Sequence, residues 1–144
     1  MEDLQNQEDQ EDQEEVILLD TNAVIRLTSE PEKLSKPAAA AIRRANRSDG
    51  IAVSAITLWE LAWLIAHGNV QASGTVEASV EEVSSRFAVR PITPKIAALA
   101  SQFGSDYPKD PCDRLIGATA LAEGMILITS DARIRECKQL RTIW

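Results

Sequence analysis

The stretch Val16-Ile17-Leu18-Leu19-Asp20-Thr21-Asn22 decides the fold. Four apolar residues with no polar break are what a strand buried on both faces requires, and such strands belong to parallel sheets covered by helices. The run stops at Asp20, where Thr21 and Asn22 are placed to cap a short helix over Ala23 to Leu27. Outward from it the same grammar repeats. Pro37 opens an alanine-rich helix to about Ser48, Asp49-Gly50 makes a turn, and Ile51-Ala52-Val53 reads as a second strand. Ser54 is an N-cap for a helix from Ala55 to His67 that Gly68 ends. A weaker helix covers Val76 to Arg86, and a short strand over Val89 to Ile92 is confined to an edge or an end by Pro91. Thr93-Pro94 starts a helix to about Phe103, Asp110-Pro111 another to Glu123, stopped by Gly124. Met125 to Thr129 is a further apolar strand, Asp131 to about Glu136 a short helix, and Leu140 to Trp144 a last strand. Strands alternating with helices of this length imply βαβ units, and so an α/β fold on a parallel sheet.

Composition sets bounds on function. The chain has 144 residues, 44% of them hydrophobic, as expected of one globular domain with a real core. No apolar run approaches the roughly 18 residues that cross a bilayer. The start has neither the basic nor the apolar part of a signal peptide, so no membrane role and a cytoplasmic location are expected. The net charge of −7 is unevenly placed. Residues 1–15 carry eight acids and no base, and without them 14 acids face 15 bases. An acidic tail, expected to be disordered and separate from the domain at 16–144, is thus attached to a balanced body that is free to bind nucleic acid. Cys112 and Cys137 are far apart in sequence, which speaks against a zinc ribbon and for two quiet, partly buried thiols. The lone histidine, His67, sits at a helix end and rules out a His-rich zinc site.

The chemistry lies in carboxylates. In an open parallel sheet, ligands bind beyond the carboxyl ends of the strands. Two strands end in an acid there, at Asp20 and at Ser130-Asp131. Helix capping explains either one alone; two on one edge favour a site. Glu60 is the only charge on the apolar segment from Ala55 to Ala66, which reads as a buried helix. A buried carboxylate neutralises, pairs with a cation such as Arg114, or binds metal. In Asp110-Pro111-Cys112-Asp113-Arg114, Asp110 is a good N-cap and Asp113 lies in the first turn, while their spacing of three also lets them share a cation. Oxygen ligands without histidine suit Mg²⁺ or Mn²⁺, ions that activate water and neutralise a phosphoryl group.

Four segments, in order, resemble PIN-domain ribonucleases, and most of all the VapC-type toxins of bacterial and archaeal toxin–antitoxin pairs. They are Leu18-Leu19-Asp20-Thr21-Asn22, Ser54 to Leu61, Asp110 to Ala120 and Leu127-Ile128-Thr129-Ser130-Asp131. The resemblance spans about Val16 to Trp144 and implies a three-layer α/β/α fold with a central parallel sheet. It implies a metal-dependent endoribonuclease in which Asp20, Glu60, Asp113 and Asp131 form the catalytic, metal-binding quartet. Asp110 is an accessory acid, Asn22 and Ser130 are supporting polar groups, and the partners are RNA and a small antitoxin. A homodimer is left open. The acidic tail departs from the family, whose first strand starts almost at residue one.

Arg114 is a candidate for stabilising phosphate charge, or for pairing with a nearby acid. Arg43, Arg44 and Arg47 on one helix, with Arg133, Arg135, Lys138 and Arg141 near the end, are candidates for holding the RNA backbone. With 4% aromatic residues, extensive base stacking is not indicated. Three rival readings are a catalytically silent PIN module that binds RNA or protein, a housekeeping PIN ribonuclease, and a haloacid-dehalogenase-type phosphatase. The last wants a second acid two residues after the first, where this chain has Asn22. No G-x-x-x-x-G-K-[ST] is present, which excludes a P-loop hydrolase by motif.

Overall fold

The computed structural model describes residues 16–144; the acidic segment lies outside the described residues. The strands are β1 (Ile17–Leu19), β2 (Ile51–Ser54), β3 (Ala88–Arg90), β4 (Ile126–Ile128) and β5 (Thr142–Ile143). The helices are α1 (Thr21–Ser29), α2 (Lys36–Asn46), α3 (Ala55–Ala66), α4 (Val76–Arg86), α5 (Pro94–Gln102), α6 (Pro111–Glu123) and α7 (Ala132–Arg135), with one 3₁₀ turn at Pro31–Lys33. All strands pair in parallel in the order β3-β2-β1-β4-β5. The chain moves from β1 to one side, through β2 and β3, and then returns to the other side as β4 and β5. Strand order therefore reverses between β1 and β4, and the crevice beyond their carboxyl ends is where such sheets bind ligands.

The period of two along a strand builds the layers. Ile17 and Leu19 of β1 face one cluster with Ala23 and Val24 of α1 and Ala38, Ala41, Ile42 and Ala45 of α2. Leu18, between them, faces the other side with Ile116 and Ala120 of α6 and Ile134 of α7. A smaller cluster joins Ile96 and Ala100 of α5 to Ala118 of α6. These are the three layers that the central strands require, because β1 and β4 are fully buried and tolerate water on neither face.

Two expectations about α1 and α3 need correction. The cap of α1 is Asp20 itself, whose side chain accepts from the Ala23 N–H. Thr21 is buried, and its hydroxyl meets that of Thr57 at 3.1 Å, which docks the starts of α1 and α3 together. Nor is α3 a buried helix. Only Thr57 and Leu61 are buried, while Trp59 is 56% and Trp63 44% exposed. An apolar surface all round is necessary for a buried helix but does not supply neighbours on every side; α3 packs against β2, α1, α4 and α6 and leaves its tryptophan face to solvent. At its end His67 stacks on Trp63, and its Nδ1 lies 2.8 Å from the Trp63 carbonyl oxygen.

Candidate active site

Four helices start at the carboxyl edge: α1, α3, α6 and α7. Their unsatisfied N–H groups carry partial positive charge and attract acids. Asp20 follows β1 directly, is 7% exposed, and accepts from the Ala23 N–H at 2.7 Å. Burial raises its carboxyl above the usual range, opposed by hydrogen bonds from Thr129 and Ala23; the Glu60 charge adds a further push upward and the Arg26 cation a pull downward. Asp131 caps α7, accepting from Arg133 N at 2.9 Å and Ile134 N at 3.3 Å. Asp110, exposed, caps α6 through Cys112 N at 2.8 Å and Asp113 N at 3.3 Å. Glu60 is half-buried on the second turn of α3.

Asp113 ties these groups together. Burial, then the charges of Asp110, Glu60, Asp131 and Asp20, push its carboxyl up to about 7. All four other acids act on this one group, so the five carboxylates share one electric field. Capping accounts for Asp20, Asp110 and Asp131 one at a time. It does not account for so much like charge in one place. Among the described residues the ion pairs are Lys33–Glu30 and Arg90–Glu123, and neither touches the cluster. Surplus negative charge of this kind fits a hard divalent cation. Among the described residues the donors that come within 4.8 Å of one another are one oxygen of Glu60, one of Asp110 and the Cys112 Sγ, while Asp20, Asp113 and Asp131 act on the cluster through their charge.

The PIN domain family matches residues 17–140 of the chain. Over 130 residues the chain is 38% identical to Ribonuclease VapC22 of Mycobacterium tuberculosis, covering 89% of this chain and 98% of that protein. The chain belongs to the PIN-domain family. Solved structures that share the fold include VapBC2 of Rickettsia felis bound to a promoter DNA fragment. Its TM-score is 0.68 at 16% identity, with 88% of this chain and 96% of that one covered. DNA-bound VapBC of Salmonella typhimurium gives a TM-score of 0.67 at 22% identity, covering 90% and 98%.

Within this PIN domain the remaining candidates separate by position. Asn22 is exposed in the first turn of α1, next to Asp20, and Ser130 is half-buried next to Asp131. Arg133 is exposed on α7, on the same edge as the acids. Arg43, Arg44 and Arg47 are not there. They end α2 at the opposite edge, where Gly50 N–H donates to the Ala45 carbonyl and Ile17 N–H to that of Gly50, immediately before β1 and β2 begin. Cations at a helix C-terminus face the negative end of the dipole, which is reason enough for that placement. Arg141 is likewise remote, donating to the Gly124 carbonyl ahead of β4.

Arg114 neither pairs with Glu60 nor is free to face a phosphate. Its guanidinium donates to the carbonyls of Pro108, Ala100, Phe103 and Gly104, at 3.0, 3.3, 3.0 and 3.4 Å. These are loop and helix-end carbonyls without helical partners, and a planar fork of five donors satisfies several at once. Arg114 is the clip that ties the end of α5 and its following loop to the start of α6.

Two features near the site escaped the sequence. Tyr107 is buried, stacks on Phe103 and donates to the Asp113 carbonyl at 2.7 Å. Its hydroxyl fits because position 117 is glycine; a Cβ there would collide with it. A glycine inside a helical pattern is the sequence signal for such a close approach. Cys112, expected to be a quiet thiol, is buried against Glu60 and Asp110, and burial followed by their charges pushes it up to about 12.

Proposed function

We propose that this PIN domain is a divalent-metal-dependent endoribonuclease, the toxin of a toxin–antitoxin pair, working at the carboxyl-edge carboxylate cluster. The observation that carries the reading is Asp113, raised to about 7 by burial and then by four neighbouring acids, on a domain 38% identical to Ribonuclease VapC22. Asp20, Glu60, Asp113 and Asp131 would hold the metal, with Asp110 accessory. Mg²⁺ or Mn²⁺, when bound there, supplies an activated water and neutralises charge on the scissile phosphate. The chain's own residues do the rest. The backbone N–H groups that open α1, α6 and α7 fix the Asp20, Asp110 and Asp131 carboxylates by capping. Tyr107 holds the Asp113 carbonyl, and Arg133 offers a cation to an RNA strand leaving the edge.

The partners that follow are RNA as substrate and a small antitoxin as inhibitor, with the cytoplasm as the place where both are met. Solved structures of similar fold are those of VapBC proteins, and among the described residues no helix is long and apolar enough to cross a membrane. RNA cleavage by the purified chain is the test. Mn²⁺ or Mg²⁺ should support cutting, EDTA should stop it, and Asp113→Asn should stop it with an unchanged circular-dichroism spectrum. Metal-independent cutting, or none by a folded wild type with metal, overturns the reading in favour of a silent module that binds RNA or protein.

A further inference from the structure

Cys112 adds a sulfur donor to a site whose other donors are oxygens. One carboxylate oxygen of Glu60, one of Asp110 and the Cys112 Sγ all lie within 4.8 Å of one another. Zinc held at its usual bond lengths needs its ligand atoms roughly 3.4–3.8 Å apart. The gap is about 1 Å, within the reach of a small side-chain rotation. The backbone that carries two of the three donors is already fixed, because Cys112 N–H donates to Asp110 Oδ1 at 2.8 Å and Pro111 leads the helix. The third donor comes from α3, and Cys112 is 7% exposed, with its sulfur within 4.8 Å of a Glu60 carboxylate oxygen. Magnesium gains nothing from a thiol; zinc and cadmium do.

We propose that Glu60, Asp110 and Cys112 form a second, softer binding mode that takes a borderline divalent cation such as zinc, and that an ion held there competes with the harder ion for Glu60. The thiol proton leaves to the buffer as the metal–sulfur bond forms, and no redox change is involved. The binding itself stands on the three donors. Its inhibitory consequence rests on the nuclease reading, since Glu60 is the ligand that both modes share. A thiol in the cluster thus makes the site responsive to zinc in a way an all-carboxylate site is not.

The test uses the full metal-free chain and Cd²⁺ as an optical probe. Cadmium should produce a thiolate-to-metal charge-transfer band in the ultraviolet that saturates at one ion per chain and is displaced by Zn²⁺. Cys112→Ser should abolish the band and Cys137→Ser should keep it. Glu60→Gln should weaken cadmium binding by about tenfold or more. Circular dichroism checks folding, and Cys112→Ala replaces the serine variant if that one does not fold. A wild type without the band overturns the proposal, as does a band that survives in Cys112→Ser or disappears in Cys137→Ser. In the cleavage assay, Zn²⁺ should inhibit the Mn²⁺-supported reaction. Absence of any Mn²⁺ cleavage alongside a normal cadmium band would sink the nuclease reading and leave the soft site standing; cleavage without the band does the reverse.

Discussion

The two edges of the sheet carry opposite charge and obey one electrostatic rule, yet only one of them is overfilled. At the amino edge Arg43, Arg44 and Arg47 end α2, and Arg141 reaches the Gly124 carbonyl at the end of α6, so cations sit at helix C-termini. At the carboxyl edge Asp20, Asp110 and Asp131 cap α1, α6 and α7, so anions sit at N-termini. Helix dipoles explain both patterns. They do not explain why Glu60 joins the acids, or why burial and then the charges of Asp110, Glu60, Asp131 and Asp20 drive Asp113 to about 7. Helix dipoles account for Asp20, Asp110, Asp113 and Asp131, which leaves Glu60 as the surplus. Among the described residues that surplus lies at the carboxyl edge, where a divalent cation would neutralise it.

The largest effect that distinguishes the edges is on cleavage. Asp20→Asn and Asp113→Asn keep size and most capping capacity but remove charge, and each should lower metal-supported RNA cleavage by roughly a hundredfold or more, beyond what loss of a residue that only orients a ligand costs. Stability comes next. Arg114→Met removes a donor from four carbonyls, of which that of Gly104 keeps the Tyr107 N–H, and should destabilise by about 1–3 kcal/mol in thermal melts, with cleavage persisting below the transition. Retained stability with lost cleavage would make Arg114 a phosphate ligand after all. Smaller again is RNA affinity. Arg133→Glu should weaken binding and lower the salt slope by about one, whereas Arg43→Glu with Arg47→Glu should leave the slope nearly unchanged. The reverse outcome would move the RNA path to the amino edge.

The smallest effect is on the pH dependence of stability in metal-free buffer. Asp113 has a folded value of about 7 against an ordinary 3.8. Between these values the unfolded chain has lost its proton and the folded chain keeps it, so stability falls as pH rises from about 4 to 7 and then levels off. Asp113→Asn should flatten that fall, and Mn²⁺ should abolish it by favouring the ionised form. A melting temperature insensitive to pH over this window in the metal-free wild type would contradict the crowding at Asp113.

Much of this was legible in the sequence because it depends on local pattern. The continuous apolar runs at Ile17–Leu19 and Ile126–Ile128 define buried parallel strands whatever surrounds them. Pro111 and Gly124 bound α6 by backbone chemistry alone. What escaped depends on contacts distant in sequence. The apolar surface of α3 says that it is able to be buried, but not that neighbours cover Trp59 and Trp63. Arg114 pairs with carbonyls rather than with acids because the loop after α5 leaves them unpaired beside it, and no residue pattern records that. Cys112 reads from sequence as a quiet, partly buried thiol, and its place beside Glu60 has no spacing signature, although it stands two residues from Asp110.

Melting curves of the wild type and Glu60→Gln, each in EDTA and in saturating Mn²⁺, test the cation site most directly. Glu60 caps no helix, so its charge has only the cluster to serve. In EDTA the variant should melt at the same temperature as the wild type or higher, since a repelling charge is gone. With Mn²⁺ at a hundred times its dissociation constant the wild type should gain about 2.7 kcal/mol and the variant little, reversing the order. A variant much less stable than wild type in EDTA, with no response of the wild type to metal, would contradict the account and make Glu60 a structural residue.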